Sequence, residues 1–450
     1  MPNASKSISV STPSKPKTKL KRLGLALILT GVAVVSAAAG ALVAAALATT
    51  PLLQSQLSPE DATAFEQDDI SAASNLQIPQ LTRPVNILVI GVKVLTADVQ
   101  NPPADLQDAG YQALVDSFDG LADTMLLVRF NPDTQQMVVL SLPRDTQIYT
   151  PKLGTARLNV TNYNGGPAAT ARATSELLDG IAIDRYVRIN VQGVEKLVDA
   201  LGGVELYVPY DMKYQDDSQH LYIDLKEGRQ RLNGSQALQF LRFRHDQYGD
   251  IGRIQRQQML MRALVEQALN PVTITRLPRT LSVVQEHVDT NLSVEELVAL
   301  VGFGAQVDRS NVQMLMLPGE FGMDGSDYGY WLPNYDGISE MVSQYFGDRS
   351  PSGYAMDPAS LRIAIQDSTG RDRAVADLVA QLQDAGYSNI YVDQNWNERL
   401  SKTHIVAQRG DVASAKALQE ILGVGEVRVE STGDLESDLT IQLGQDWLEK

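Results

Sequence analysis

Cysteine is absent from this 450-residue sequence, so disulfide bonds, zinc–thiolate sites and cysteine nucleophiles are excluded. Histidine is scarce, and the four that are present give a serine–histidine catalytic pair no clear support. The motifs G-x-S-x-G and H-E-x-x-H and the Walker phosphate-binding loop are also missing. The signatures of the common serine hydrolases, zinc proteases and P-loop enzymes are therefore lacking. The four histidines are His220, His245, His287 and His404.

Positive charge is scarce outside the N-terminus. Six of the 38 basic residues lie within residues 1–22, which contain no acidic residue. The rest of the chain therefore has 32 basic residues against 54 acidic ones. So acidic a body would repel a nucleic-acid backbone, which argues against a DNA- or RNA-binding protein. An anionic ligand would have to be held by a few closely spaced arginines.

Residues 23–48 form a long apolar run without a charged side chain. About 20 such residues suffice to cross the hydrocarbon core of a membrane. Because lysines precede the run and acidic residues follow it, residues 1–22 are predicted to be cytoplasmic and the C-terminal bulk extracytoplasmic. The sequence thus predicts a single-pass protein of the cytoplasmic membrane. A signal peptide cleaved near Ala48 is the alternative, although such apolar regions are typically about 7–15 residues long.

Composition divides the remaining chain into four parts. Residues 49–82, rich in proline, serine, glutamine and aspartate, are predicted to be a flexible stalk. Residues 83–348 mix strand and helix patterns, which indicates an α/β or α+β domain. A linker at 349–359 leads to a small α/β module at 360–450, in the order strand, helix, strand, strand, helix, strand.

Within the larger domain, Val85–Gly91 is predicted to be a buried strand and residues 96–120 a loop. Met125–Phe130 and Met137–Leu142 are predicted to form a hairpin, because a turn sequence, Asn131-Pro132-Asp133, lies between them. Ser293 and Glu296 have the spacing of a helix capping box. Helices are predicted around Ala168–Leu178, Val191–Ala200, Ser235–Leu241 and Ile254–Leu269.

Arginine follows one of these strands directly, in Ser141-Leu142-Pro143-Arg144-Asp145-Thr146. Strand ends commonly open onto ligand crevices, and a guanidinium group is suited to bidentate phosphate binding. The alternative is a turn in which Arg144 pairs with Asp145. Asp123, at the start of the preceding strand, is either a Mg²⁺ ligand beside such a phosphate or a strand-start cap.

Two further arginines lie in Phe240-Leu241-Arg242-Phe243-Arg244. If this stretch is extended, Arg242 and Arg244 share one face, because side chains alternate along a strand. Two like charges so close together are costly unless an anion lies between them. The alternative is a solvated edge strand.

A third basic group, Arg253, Arg256 and Gln257, opens a predicted helix and is spaced for one helical face. The same face continues with Leu260 and Leu264, so a cationic first turn precedes an apolar one. The positive end of the helix dipole lies beside the arginines. This profile suits an amphiphile with a phosphate head, although an ordinary amphipathic helix with a basic start is the alternative.

Taken together, the ordered motifs over residues 83–270 resemble the LytR-CpsA-Psr family of cell-wall glycopolymer transferases. The chain from about residue 360 resembles the C-terminal module of some members. The matching stretches are Asn86–Gly91, Ala122–Met125, Ser141–Thr146, Arg157–Asn159, Gly165-Gly166, Ile183–Val187, Val198–Val204, Leu232–Gly234, Ala237-Leu238, Arg242–Asp246 and Asp250–Gln258.

The resemblance implies a mixed sheet flanked by helices, with an apolar pocket for a polyprenyl chain. It implies a polyprenyl-pyrophosphate-linked glycan as donor, peptidoglycan or another envelope component as acceptor, and membrane lipid as a partner. A nucleic-acid-binding regulator, which older family names suggest, is disfavoured by the acidic body and the predicted location, so no nucleic acid is expected as a partner. By motif, Mg²⁺ would be held by Asp123, and catalysis would involve Arg144, Asp145 and Arg253. The predicted pyrophosphate contacts are Arg144, Arg242, Arg244, Arg253, Arg256 and Gln257.

The sequence departs from the family at Lys93, in Gly91-Val92-Lys93, where members commonly have a second metal-binding aspartate. A lysine ammonium there could neutralise phosphate directly, in place of part of the metal's role. Two other functions are compatible with the same residues. One is a pyrophosphatase with water as acceptor, and the other is a non-catalytic protein that binds lipid-linked glycans.

Overall fold

The computed structural model describes most of the chain beyond residue 51. The predicted membrane segment at 23–48, most of the predicted loop at 96–120 and most of the linker lie outside the described residues. Within the described part, no helix is long and apolar enough to span a membrane. The described residues are 52, 54–72, 79–93, 118–216, 221–243, 249–268, 270, 280, 282, 283, 286–308, 311–322, 329–347, 356–393, 395, 396, 398–408, 410–430, 432–434 and 436–450.

Sixteen strands are described before the linker, and six of them form one central sheet. The other ten pair off into small two-stranded sheets. In chain order the strands are β1 (Ser71–Ala72), β2 (Gln80–Leu81), β3 (Val85–Lys93), β4 (Leu121–Asn131), β5 (Gln136–Leu142), β6 (Gln147–Thr150), β7 (Gly154–Arg157), β8 (Arg185–Asn190), β9 (Val204–Val208), β10 (Met212–Asp216), β11 (Leu221–Leu225), β12 (Gly228–Leu232), β13 (Val288–Thr290), β14 (Val312–Met316), β15 (Gly319–Phe321) and β16 (Trp331–Pro333).

Helices accompany these strands, and each of the four predicted ones is present with bounds shifted by a few residues. The predicted capping box is confirmed, since the Ser293 side chain accepts from the Glu296 N–H and Glu296 accepts from the Ser293 N–H. In chain order the helices are α1 (Pro59–Ala62), α2 (Val160–Leu177, kinked at Gly165 and Gly166), α3 (Val191–Leu201), α4 (Gly234–Arg242), α5 (Gly249–Ala268), α6 (Val294–Gly304) and α7 (Tyr335–Tyr345).

The central sheet has the order β13-β8-β3-β4-β5-β14 and mixes parallel and antiparallel pairs. Because side chains alternate along each strand, the sheet buries both of its faces. Leu88, Leu127 and Leu140 pack on one face with residues of α2 and α7. Leu126 and Val139 pack on the other with residues of α5 and α6. The domain is therefore a three-layer mixed α/β structure, as the sequence predicts.

The predicted hairpin is confirmed as β4 and β5, which are antiparallel and joined by residues 132–135. Their last observed pair is Asn131 with Gln136, and the register continues without a bulge to Met125 opposite Leu142. The turn therefore fixes which residues meet at the far end of the hairpin.

Residues 54–72 differ from the predicted flexible stalk because they pack against the domain. Phe65 is buried beside Tyr186, with ring centroids 5.1 Å apart, and Ile70 is fully buried in a second apolar cluster. The Ser55 N–H and hydroxyl both donate to Asp289, at 2.6 and 3.0 Å. These contacts join residues far apart in sequence, so local composition did not indicate them.

The C-terminal module is a five-stranded sheet of order β18-β17-β21-β19-β20 with two helices. Its predicted strands and helices are all present. The Glu426–Val429 strand was not predicted, because this charged edge strand is only partly buried and has no apolar run. The elements are β17 (Arg362–Asp367), α8 (Asp372–Asp384), β18 (Asn389–Val392), β19 (His404–Ala407), α9 (Val412–Leu422), β20 (Glu426–Val429) and β21 (Leu439–Leu443), with 3₁₀ turns at Pro358–Ser360 and Gln445–Glu449.

Candidate functional site

The register of the β4–β5 hairpin brings Asp123 to Arg144. Continuing the pairing of Met125 with Leu142 by two residues places position 123 opposite position 144. There the Arg144 guanidinium donates through Nη1 to Asp123 Oδ1 at 2.9 Å and through Nε to Asp145 Oδ2 at 3.1 Å. The alternative interpretation of Arg144 is confirmed, because it pairs with Asp145. Its binding to phosphate stays a prediction.

Arg157 extends this cluster from β7. Its Nε lies 3.3 Å from Asp145 Oδ1, and its guanidinium lies over the ring of Tyr330 at 5.0 Å from the centroid. Each carboxylate oxygen of Asp145 therefore faces a different guanidinium group. The sequence motif Arg157–Asn159 was noted only as part of the family resemblance, and Arg157 is a site residue that the sequence analysis missed.

Arg144 remains a cation in this environment. Burial alone would lower the pKa of its guanidinium, but the negative charges of Asp123 and Asp145 outweigh that effect and raise the pKa. About a quarter of the Arg144 side chain is exposed. The cluster therefore offers a permanent, partly accessible positive charge to an anionic ligand.

Helix α5 approaches the same cluster. The Gln257 amide donates to the backbone carbonyl of Asp123 at 3.5 Å. Beneath it lies a small cavity of about 20 Å³, which has room for one water molecule. Its wall combines Gln257 and Gln258 with the apolar side chains Met125, Leu126, Leu142, Pro143, Met261 and Met316.

Gln258 is a second residue that the sequence analysis did not single out. Its side chain lines the cavity and only 3% of the residue is exposed, yet among the described residues neither amide atom has a hydrogen-bond partner. A buried amide without partners costs about 1–3 kcal/mol of stability. The only feature of the sequence that could have indicated a role for Gln258 is its position directly after Arg256-Gln257.

We expect Gln258→Met to raise the free energy of unfolding by about 1–2 kcal/mol, because the change removes the unpaired amide and keeps the side-chain volume. Gln267→Met is the matched control on the same helix. The buried Gln267 amide donates to the Leu201 carbonyl at 2.9 Å, so losing this hydrogen bond should lower the free energy of unfolding. Thermal unfolding of both variants measures the difference. A loss of stability in both would show that the Gln258 amide is already satisfied.

Arg256 was predicted to contact phosphate, but in the structure it is buried and bonded to other protein groups. Only 2% of the residue is exposed. It donates through Nη2 to the Phe243 carbonyl at 2.7 Å and through Nη1 to the Tyr210 hydroxyl at 3.0 Å. In this structure Arg256 supports the backbone at Phe243, the residue that follows α4.

The extended interpretation of 242–244 is wrong for Arg242, which is the last residue of α4. The helix ends at Arg242, and Phe243, its C-cap residue, has an extended backbone and is buried. Arg244 and the side chains of Arg253 and Lys93 lie outside the described residues. The predicted residues that the structure brings together are Asp123, Arg144, Asp145 and Gln257.

The donor set for a divalent cation is small. In the part of the chain that the structure describes, no group of three or more histidine, aspartate or glutamate residues could hold a metal ion. Mg²⁺ in phosphate sites is often bound by one or two carboxylates and completed by phosphate oxygens and water. Asp123, about a quarter exposed, fits the role of that single carboxylate.

Comparisons with known proteins find related sequences for both parts of the chain. A model of the LytR_cpsA_psr family matches residues 52–345, and a model described as LytR cell envelope-related transcriptional attenuator matches residues 360–447. An uncharacterized protein of Staphylococcus aureus is 30% identical over 290 residues, which cover 63% of this chain and 68% of that protein.

A second relative, from Oceanobacillus iheyensis, is named polyisoprenyl-teichoic acid–peptidoglycan teichoic acid transferase TagU. It is 28% identical over 270 residues, covering 58% of this chain and 75% of that protein. The crystal structure of TagV from B. subtilis aligns with a TM-score of 0.48 and 24% identity, covering 60% of this chain and 99% of that one.

Proposed function

The chain belongs to the LytR_cpsA_psr family, and from this premise we propose that it is a glycopolymer phosphotransferase of the cell envelope. Its donor is a glycan linked to a polyprenyl-pyrophosphate carrier, and its acceptor is peptidoglycan or another envelope glycan. The name of the Oceanobacillus relative, a transferase of teichoic acid to peptidoglycan, supports this class of reaction.

The observation that carries the proposal is the setting of Arg144. Its guanidinium lies between two carboxylates, partly exposed, beside a cavity with an apolar wall. Guanidinium groups bind phosphate oxygens with two parallel hydrogen bonds, and apolar side chains next to such a group suit the first part of a hydrocarbon chain. A lipid pyrophosphate has both of these parts in one molecule. The cavity itself has room for one water molecule only, so it is not the predicted pocket for the polyprenyl chain.

In the proposed reaction an acceptor hydroxyl oxygen forms a bond to the glycan-side phosphorus. The bond from that phosphorus to the bridging oxygen breaks, polyprenyl phosphate leaves, and the hydroxyl proton is released to solvent. Arg144 stabilises the negative charge that develops on the phosphate oxygens. We assign Asp145 to orienting Arg144 and Arg157, since each of its oxygens already lies beside a guanidinium group.

A bound Mg²⁺ would supply further charge neutralisation, and Asp123 is the residue that would hold it. The Asp123 carboxylate also fixes Arg144, so it has a role with or without a metal. Gln257 holds the backbone of Asp123 from the side of α5. Arg242, Arg244 and Arg253 are proposed as the remaining pyrophosphate contacts.

The position of Lys93, the last residue of β3, gives a specific prediction about metal dependence. We expect Lys93→Asp to increase the dependence of transfer on Mg²⁺, because it replaces a fixed cation by a second carboxylate ligand. Transfer rates measured across a Mg²⁺ titration test this, with Lys152→Asp, a loop lysine between β6 and β7, as the control for charge reversal alone. Identical titration curves for Lys93→Asp and the unaltered protein would remove Lys93 from the site.

We further propose that residues 23–48 anchor the protein in the cytoplasmic membrane, with the described domain and module outside the cytoplasm. The basic residues before this segment and the acidic body after it support that orientation.

An in vitro assay tests the proposed function directly. The detergent-purified full-length protein is incubated with a polyprenyl-pyrophosphate-linked glycan and peptidoglycan, and the muramidase-digested product is analysed by mass spectrometry. We expect fragments in which glycan and peptidoglycan share one phosphodiester. Release of free glycan phosphate without such fragments would favour a pyrophosphatase, and unchanged donor would favour a non-catalytic binding protein.

A further inference from the structure

Helix α5 presents different sides to different partners. At about 100° per residue, Gln255, Arg262 and Glu266 fall on one side of the helix. Gln257 falls about 200° away from Gln255, where its amide reaches the Asp123 carbonyl. The helix therefore contacts the candidate site with one side while a separate side is available to another element.

That separate side of α5 contacts the C-terminal module. The Gln255 amide donates to the Gly433 carbonyl at 3.1 Å. Two helical turns further on, the Arg262 guanidinium pairs with Glu430 of the module and lies 3.4 Å from Glu266 of its own helix. The first of these contacts falls only two residues from Gln257, so the module holds the segment of α5 that lies at the site.

Glu430 is a buried carboxylate among partly exposed charges. Only 1% of the residue is exposed. Arg428 lies 3.8 Å from it and also pairs with Glu426, which is 3.5 Å from the ring of His404. Burial, together with the positive charge of Arg428, lowers the pKa of Arg262 to about 10. Neutralising Glu430 leaves Arg262 with Glu266 of its own helix and Arg428 with Glu426, so the charge contact between α5 and the module is lost.

Two other contacts fix the module on the larger domain. The Tyr345 hydroxyl of α7 donates to the Gly410 carbonyl, and Arg229 pairs with Glu398. Gly410 has a φ of +88°, and an added Cβ would lie within 3 Å of the Tyr345 ring, so glycine is required at this contact. Val429 packs against the apolar cores of both parts. The module is thus docked at several points around α5.

We propose that the C-terminal module is a positioning element for α5, and that Arg262 and Glu430 are the positioning residues that transmit its effect. The inference rests on the proposed function, because the positioned residues are the proposed donor contacts at the start of α5. An ion pair to a buried carboxylate contributes little net stability, because desolvation offsets the attraction, but it keeps Arg262 within reach of Glu430 and so limits rotation and shift of the helix. Displacing α5 would move Gln257 away from Asp123 and so alter the binding site for the lipid-linked glycan. Arg144 would stay in place, because it lies in the turn that follows β5.

The test uses Glu430→Gln in the full-length protein, which keeps the side-chain shape and removes the charge. We expect amide hydrogen exchange over residues 255–262 to accelerate about tenfold and KM for a polyprenyl-pyrophosphate-linked glycan to rise about tenfold, a typical coupling between contacting residues. We expect kcat to change less than about threefold, since the reacting phosphate still meets Arg144. The double variant Arg262→Gln/Glu430→Gln should restore exchange and KM most of the way, because two neutral amides can then pair across the contact and the repulsion between Arg262 and Arg428 is removed.

Glu436→Gln is the matched control within the module, since Glu436 pairs with Arg362 at an exposed position. Exchange over α5 that is the same in Glu430→Gln and Glu436→Gln would overturn the proposal, as would a double variant worse than Glu430→Gln alone. Hydrogen exchange requires no turnover, so it decides the positioning role even if the unaltered protein transfers no glycan. A failed proposed function is recognised separately, by the absence of turnover in the unaltered protein.

Discussion

Arg144→Ala is expected to reduce glycopolymer transfer by about 10²–10³-fold, the usual effect of removing one preorganised donor from a charge-stabilising site. Arg144 is a described cation that pairs with both Asp123 and Asp145. Without it those two carboxylates would face the donor phosphates directly and repel them. Transfer of labelled glycan from the lipid carrier to peptidoglycan measures the loss.

Two further variants separate charge from geometry at this position. Arg144→Lys keeps the positive charge but has no planar pair of donors, so it should retain a small part of the activity. Arg172→Ala removes an exposed arginine that pairs with Asp61, and it should transfer normally. Transfer by Arg144→Ala within about threefold of the unaltered rate, with unfolding temperatures alike, would take Arg144 out of the mechanism.

The largest expected effect on stability is that of Asp289→Ala, about 3–5 kcal/mol, because it leaves a buried arginine without its carboxylate. Arg188 donates through Nε to Asp289 Oδ2 at 2.6 Å, and both side chains are at most 4% exposed. The Tyr186 hydroxyl donates to Asp289 Oδ1 at 3.2 Å, and the Ser55 contacts hold the N-terminal lead-in of the domain. The unfolding temperature should fall by roughly 4–8 °C, because the unfolding entropy of so large a unit is high.

Asp61→Ala provides the comparison for this prediction. Its ion pair with Arg172 is about 40% exposed on both sides, and such pairs contribute at most about 1 kcal/mol. Calorimetry of the two variants under one condition gives the contrast. Equal shifts in unfolding temperature would show that burial around Asp289 has no special weight in the fold.

The parts of the fold that sequence analysis predicted are those with local causes. The turn at Asn131-Pro132-Asp133 determines the β4–β5 hairpin, and Ser293 with Glu296 starts α6 through hydrogen bonds three residues apart. In contrast, Phe65 and Ile70 are buried by strands far along the chain, and no periodicity in residues 49–82 indicates this. The stalk was predicted from composition, and composition does not show that single apolar residues such as Phe65 and Ile70 are buried.

The candidate site shows the same division. Arg144 and Asp145 were predicted because they follow a clear strand, and the hairpin register could also have placed Asp123 beside them. The two-residue period seen at Arg242 and Arg244 is too short to tell a strand from the end of a helix. Arg256 was predicted as a phosphate contact from helical spacing and the family resemblance. Neither indicates its partners in the structure, Tyr210 and the Phe243 carbonyl, because both lie outside α5.

The central claim is that Arg144, with the arginines proposed beside it, holds the pyrophosphate of a polyprenyl lipid next to apolar side chains. Mass spectrometry of the lipid that co-purifies with the detergent-extracted full-length protein tests it most directly, with Arg144→Ala prepared in parallel. The account predicts a polyprenyl pyrophosphate species on the unaltered protein and much less of it on Arg144→Ala. Equal amounts on both proteins, or only bulk phospholipid on either, would contradict it.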